Sequence, residues 1–119
     1  MNMSDVIIYG IPNCDTIKKT INWFDAHQIA FRFHNYKKSG IEKSTLKKWS
    51  KLVEWEMLLN KKGTTWKKIQ PNFVDVAINE SIAIDIMLEN NSAIKRPVIE
   101  FKNKILVGFD ETELLKNFK

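Results

Sequence analysis

Residues 5–10 are a continuous apolar run that closes on Gly10, the pattern of a short buried strand. The segment Ile11-Pro12-Asn13-Cys14-Asp15-Thr16 is a polar turn with Pro and Asn, a place where helices begin. Ile17, Ile21 and Phe24 then recur at helical spacing, with Lys18, Lys19, Asn22 and Asp25 between them, which predicts a helix over about 14–27. Phe31, Phe33 and Asn35 alternate with Arg32, His34 and Tyr36 and predict a second strand. Strand, helix and strand at this spacing make a crossover, so the two strands are expected to be parallel.

Beyond the break at Ser39-Gly40, Glu42 or Ser44 can start a helix with Leu46, Trp49, Leu52 and Val53 on one face. A further turn carries Trp55, Leu58 and Leu59 up to Gly63. Thr64-Thr65 restarts a short helix with Trp66 and Ile69, and Pro71 interrupts it. An apolar-rich helix is expected from Ser81 to Glu89. Val98 to Phe101 and Ile105 to Phe109 flank the polar turn Lys102-Asn103-Lys104, an antiparallel hairpin. Asp110, with Glu113 three residues on, is a capping-box start for a last helix through Leu114, Leu115 and Phe118. The order β-α-β, several short helices, β-β-α predicts an α/β fold. The expected fold is a thioredoxin-like, glutaredoxin-type mixed four-stranded sheet, with a helical insertion over about 40–92 after the second strand. The 119 residues are expected to form one domain.

Composition narrows the function classes. With 44% hydrophobic and 28% charged residues the chain is not of the disordered class. No apolar run approaches the roughly 20 residues of a membrane span. No basic stretch followed by an apolar one opens the chain, so no signal peptide is expected and the expected location is the cytoplasm. The net charge is +5. The lysines come in scattered pairs interrupted by acids, and Arg32 and Arg96 are the two arginines. That pattern reads as solvated helix faces and argues against a nucleic-acid partner. His27 and His34 have no third ligand at metal-site spacing, so no metal is expected. Trp23, Trp49, Trp55 and Trp66 sit mostly at helix-face positions, as core residues rather than a base-stacking platform.

Cys14 is the sharpest chemical signal. A lone cysteine is most often a small buried hydrophobe. This one sits where a strand turns into a helix, and free N–H groups with the positive end of the helix dipole can hold a thiol below its usual value of about 8.5. The thiolate is the nucleophilic form. Ile17 fills the second position of a C-x-x-C pattern, so no internal dithiol is available and a resolving thiol has to come from outside. Arg96-Pro97 opens a strand. A Pro there can be cis, and Arg96 would bring a permanent cation with a fork of donors suited to an oxyanion or carboxylate. Cys14 is therefore the candidate nucleophile, and Asn13, Asp15, Thr16, Arg96 and Pro97 are the candidate substrate-binding residues.

Three segments together, Tyr9 to Lys19, Leu58 to Trp66 and Ile94 to Pro97, resemble the arsenate reductase ArsC family over about residues 5–118. The nearest branch is the small YffB-like proteins, related also to the Spx regulators. The resemblance implies a thioredoxin-like fold with a helical insert and a bacterial, cytoplasmic thiol chemistry. Glutathione, or a glutaredoxin-like thiol donor, would then be co-substrate and partner, with no bound cofactor. It also implies which residues are replaced. Family arsenate reductases use a Cys with three arginines. Of these positions only Cys14 and Arg96 carry over, while Asn60 and Val107 or Gly108 stand where two arginines are expected, and Gly10 stands where the family has a His. Losing two charged bidentate contacts, each worth roughly 1.5–3 kcal/mol, would weaken arsenate binding by orders of magnitude. The expected function is a glutathione-dependent reductase of a disulfide or small oxidised substrate, acting as a monomer, and not an efficient arsenate reductase. The alternative is an Spx-like regulator that binds RNA polymerase without turnover. Ile17, and Glu54 where the Spx interface has a Gly, depart from that pattern.

Overall fold

The computed structural model describes residues 5–118, which divide into two compact units. The first combines residues up to Asn35 with those from Arg96 onward. It holds β1 (Ile7–Gly10), α1 (Asp15–Ala26), β2 (Arg32–Asn35), β3 (Val98–Phe101), β4 (Lys104–Val107) and α7 (Glu111–Phe118). The strand order is β2-β1-β3-β4. β1 and β2 are parallel, while β3 is antiparallel to both β1 and β4. This is the expected thioredoxin-like mixed sheet.

Register explains the burial. Phe33, Ile8, Ile99 and Leu106 line up across the four strands and share one face. Val6, Ile8, Ile99 and Phe101 pack there with Trp23 and Phe24 of α1 and Leu114 of α7. Phe118 sits edge-on to Phe24, with ring centroids 5.2 Å apart, and against Phe101 at 4.5 Å. α1 ends without a glycine. Gln28 takes φ 57°, and the amides of Gln28 and Ile29 donate to the carbonyls of Asp25 and Phe24. That double bond is a Schellman closure, which satisfies the last carbonyls and turns the chain into β2. The hairpin turn is Lys102-Asn103, with Lys102 at φ 53°. Lys104, expected in the turn, already pairs with Phe101, so the loop is one residue shorter than the sequence suggests. Asp110 caps α7 as expected, its Oδ1 accepting from the amides of Thr112 and Glu113.

The second unit runs from Tyr36 to Lys95. It contains α2 (Tyr36–Ser39), α3 (Lys43–Leu52), α4 (Trp55–Leu58), α5 (Thr64–Ile69) and α6 (Glu80–Glu89), with 3-10 turns at Gln70–Phe73 and Asn91–Ala93. Pro71 lies in the first of these turns, where its missing N–H costs little. Leu46, Trp49, Leu58, Trp66, Ile84, Ile86 and Met87 are buried. Asn79, two residues before the expected start at Ser81, caps α6 by accepting from the amide of Ile82 at 2.9 Å. Tyr36 corrects the strand reading. It begins α2 rather than ending β2, it is fully buried, and its hydroxyl donates to the carbonyl of Ile94 at 3.1 Å. Asn91 Nδ2 donates to the carbonyl of Tyr36 at 2.9 Å. A tyrosine can go inside when its hydroxyl finds an acceptor, which the alternation of residues 31–36 could not show.

Candidate active site

The site is built where β1 delivers the chain to α1. Gly10 ends the strand in a position with no room for a side chain: a Cβ there would run into Cδ1 of Ile17. The strand end and the first helical turn are therefore in direct contact, with Ile17 buried between them. Asn13 takes φ 64°, the left-handed region that Asn tolerates better than most residues. The chain then reverses into extended geometry at Cys14, with φ −113° and ψ 129°, which is the N-cap of α1. The carbonyl of Cys14 accepts the first intrahelical bond, from Lys18 at 3.0 Å.

At an N-cap the side chain normally supplies an oxygen to the amides two and three residues on. Here that place is held by sulfur. The thiol forms no cap hydrogen bond of regular geometry, yet the field at its position favours the anion. Burial pushes the Cys14 thiol up. The amide of Ile17, the side chain of Arg96, the amide of Thr16 and the positive charge of Arg96 pull it down and outweigh burial, leaving the thiol below its ordinary value. Cys14 is only partly buried, so the sulfur is within reach of a reactant.

The structure thus brings Cys14, Thr16 and Arg96 together. The Arg96–Pro97 bond is cis, and Pro97 is buried with its carbonyl accepting from the amide of Gly108 at 2.8 Å. Asn13 and Asp15 are exposed on either side of Cys14. The amide contribution comes from Thr16 and Ile17. Arg32 lies on the exposed side of β2.

Two features escaped the sequence reading. One is the Gly10–Ile17 contact. Its signal is a glycine that closes a buried strand just before a helix, a position where close approach of backbone and side chain is common. The other is Thr20. It is fully buried, and its Oγ1 donates to the carbonyl of Thr16 at 2.8 Å. The buried face of α1 runs through Ile17, Thr20, Trp23 and Phe24, whereas Ile21 is only partly buried. A threonine can occupy such a face because the back-bond satisfies its hydroxyl. His27 is used locally: its ring stacks on Trp23 at 4.0 Å, and Nδ1 lies 2.8 Å from the carbonyl of Trp23. Asn60 is used by the fold of its own unit: its Oδ1 accepts from the amide of Lys62 at 3.1 Å, and its backbone amide donates to the carbonyl of Ala93 at 2.7 Å. Three of the four tryptophans, Trp23, Trp49 and Trp66, are buried. Trp55 is partly exposed, with Lys61 Nζ 5.5 Å from its ring centroid.

Comparison with known proteins agrees with the fold. A solved YffB protein superposes with a TM-score of 0.91 at 38% identity, covering 96% of this chain and 99% of its own. An uncharacterised Haemophilus influenzae protein is 35% identical over 108 residues, which is 91% of this chain and 94% of that protein. The global transcriptional regulator Spx of Lactiplantibacillus plantarum is 24% identical over 92% of this chain and 83% of its own. The ArsC family model matches residues 9–117. With its mixed sheet, its helix-capping Cys14 and a match over almost its whole length, the chain belongs to the ArsC family.

Proposed function

We propose that the chain is a thiol-based reductase in which Cys14 is the nucleophile. The observation that carries this reading is the partly exposed thiol held toward its anion by the amides of Thr16 and Ile17 and by Arg96. The thiolate attacks one sulfur of a disulfide, the S–S bond breaks, and the departing half leaves as a thiolate. Cys14 is left in a mixed disulfide. Ile17 offers no second sulfur, so glutathione or a glutaredoxin-like donor resolves the adduct from outside. Two donor thiols are oxidised to one disulfide for each substrate disulfide reduced to two thiols. Arg96 orients a carboxylate or oxyanion of the substrate beside the sulfur, and Asn13, Asp15 and Pro97 border the same place. The site has one arginine for an oxyanion, so arsenate is expected to be a poor substrate.

Incubation with glutathione disulfide followed by intact mass measurement tests the reading. The wild-type chain should gain one glutathionyl group, and Cys14→Ser should gain none. A wild-type chain that stays unmodified, with a thiol titrating above about 8.5, refutes it. The likeness to Spx favours a second reading, in which the chain binds RNA polymerase without turnover. Recovery of polymerase subunits from a bacterial lysate by both wild type and Cys14→Ser, without mixed-disulfide formation, would select that one.

A further inference from the structure

The two units differ in charge. The sheet unit carries a formal +1, while Tyr36–Lys95 holds eleven lysines and seven carboxylates and so accounts for +4 of the net +5. Part of that excess is organised. Lys43, Lys47 and Lys51 lie four residues apart on α3, on one face of the helix, each step a rise of about 6 Å along the helix axis. They line a groove of about 420 Å³ that is completed by Glu80, Ser81 and Ile84 of α6. Ile84 is buried and is the apolar residue of the lining. Lys43 lies 4.0 Å from Asp85, both side chains more than half exposed. Lys47 and Lys51 are exposed and have no ion pair among the described residues.

We propose that this groove is a docking surface for an acidic amphipathic helix of a partner protein. Carboxylates repeating every fourth residue on such a helix match the spacing of the three ammonium groups. An apolar residue between them would rest on the lysine stems and Ile84, as long cationic side chains permit. Glu80, also in the lining, faces a neutral or basic residue of the partner. This sign reversal favours a protein over a nucleic acid. A phosphate backbone would meet the Glu80 carboxylate, and Tyr36–Lys95 contains no arginine to grip phosphates with a bidentate fork. The surface is independent of Cys14 chemistry.

The test is an NMR titration of the isotopically labelled full chain with a synthetic helical peptide bearing three Glu residues four apart and a Leu on the same face. A scrambled peptide of equal composition and a single-stranded DNA of similar length run in parallel. The helical peptide should shift amides of α3 and α6 and bind at least tenfold tighter than the scrambled one. Its affinity should fall with added salt. Lys47→Gln/Lys51→Gln should lose about tenfold with an unchanged circular dichroism spectrum, and Cys14→Ser should bind like wild type. Equal binding of the scrambled peptide, or tighter DNA binding on the same face, overturns the proposal. So does a footprint away from α3 and α6, or self-association that occupies the groove.

Discussion

The Cys14 turn and the α3 lysine face both carry charge, and they use it in opposite ways. At Cys14 a single sulfur meets two backbone amides of the first turn of α1 and one guanidinium, that of Arg96. On α3 three ammonium groups on flexible stems share a groove with little to hold them. The first arrangement changes the chemistry of one atom. The second presents a row of charge to a partner's surface. Charge density alone would have directed attention to the helical unit, but preorganised donors act on a reacting group more strongly than mobile surface charges do.

Removing the sulfur is the hardest test of that contrast. Cys14→Ser should abolish mixed-disulfide formation entirely, read by intact mass, whereas neutralising Lys47 and Lys51 should leave the rate of adduct formation within about twofold. A lysine variant that slows the thiol as much as Arg96→Ala would erase the distinction. Arg96→Ala removes both a hydrogen bond and a positive charge from the sulfur. The Cys14 thiol should titrate higher, and reaction with glutathione disulfide at neutral pH should slow by roughly tenfold. This is toward the lower end for a charged hydrogen bond, because the sulfur is partly exposed. Arg96→Lys should recover part of the rate through charge and none of the fork geometry.

Packing under the sulfur gives the next effect. Gly10→Ala places a Cβ against the side-chain end of the buried Ile17, which has to shift to admit it. Overpacking of this kind costs about 1–3 kcal/mol. Ile17→Val alone should cost about 0.5–1.5 kcal/mol. If the two positions share one space, the double variant should be more stable than the sum of the single losses predicts, as measured by urea denaturation. Strict additivity would mean that the contact does not couple the strand end to the helix start.

Most of this site was legible as sequence. Cys14 followed from its place in a polar turn between an apolar strand and an amphipathic helix, and Arg96 from the Arg-Pro pair at a strand entrance. What stayed hidden depends on contacts that no local pattern encodes. Tyr36 continues the alternation of β2 in the sequence, yet its hydroxyl is satisfied by Ile94, far along the chain. Thr20 takes an interior place because it bonds back to Thr16, while the more apolar Ile21 is left at the boundary. Gln28 closes α1 in a conformation usually left to glycine, so the helix end carried no glycine signal. Hydrophobic period finds faces; it does not find the hydrogen bonds that let polar groups enter them.

The thiol's depressed titration also sets a pH dependence of stability. The folded chain favours the anion more than the unfolded chain does. The resulting stabilisation is fully present above the unfolded thiol value of about 8.5 and is lost as the pH falls through the folded value. The stability of wild type relative to Cys14→Ser should therefore rise with pH over that window and flatten on either side, as followed by denaturant midpoints. A flat difference throughout would mean that the amides and Arg96 do not favour the anion.

The smallest expected effect closes the comparison from the other side. Lys43 and Asp85 are 4.0 Å apart, and each is more than half exposed. Exposed pairs of this length contribute about 0–1 kcal/mol, because water screens them and two side chains must be immobilised. Asp85→Asn should change stability by less than about 0.5 kcal/mol. It should, however, free Lys43 and strengthen attraction of an acidic peptide to the groove, since a competing carboxylate is removed. A large stability loss would show α3 and α6 to be held by that pair rather than by the packing of apolar residues such as Leu46, Trp49, Ile84 and Met87. The lysine face would then count as structure, with its charges spent inside the chain.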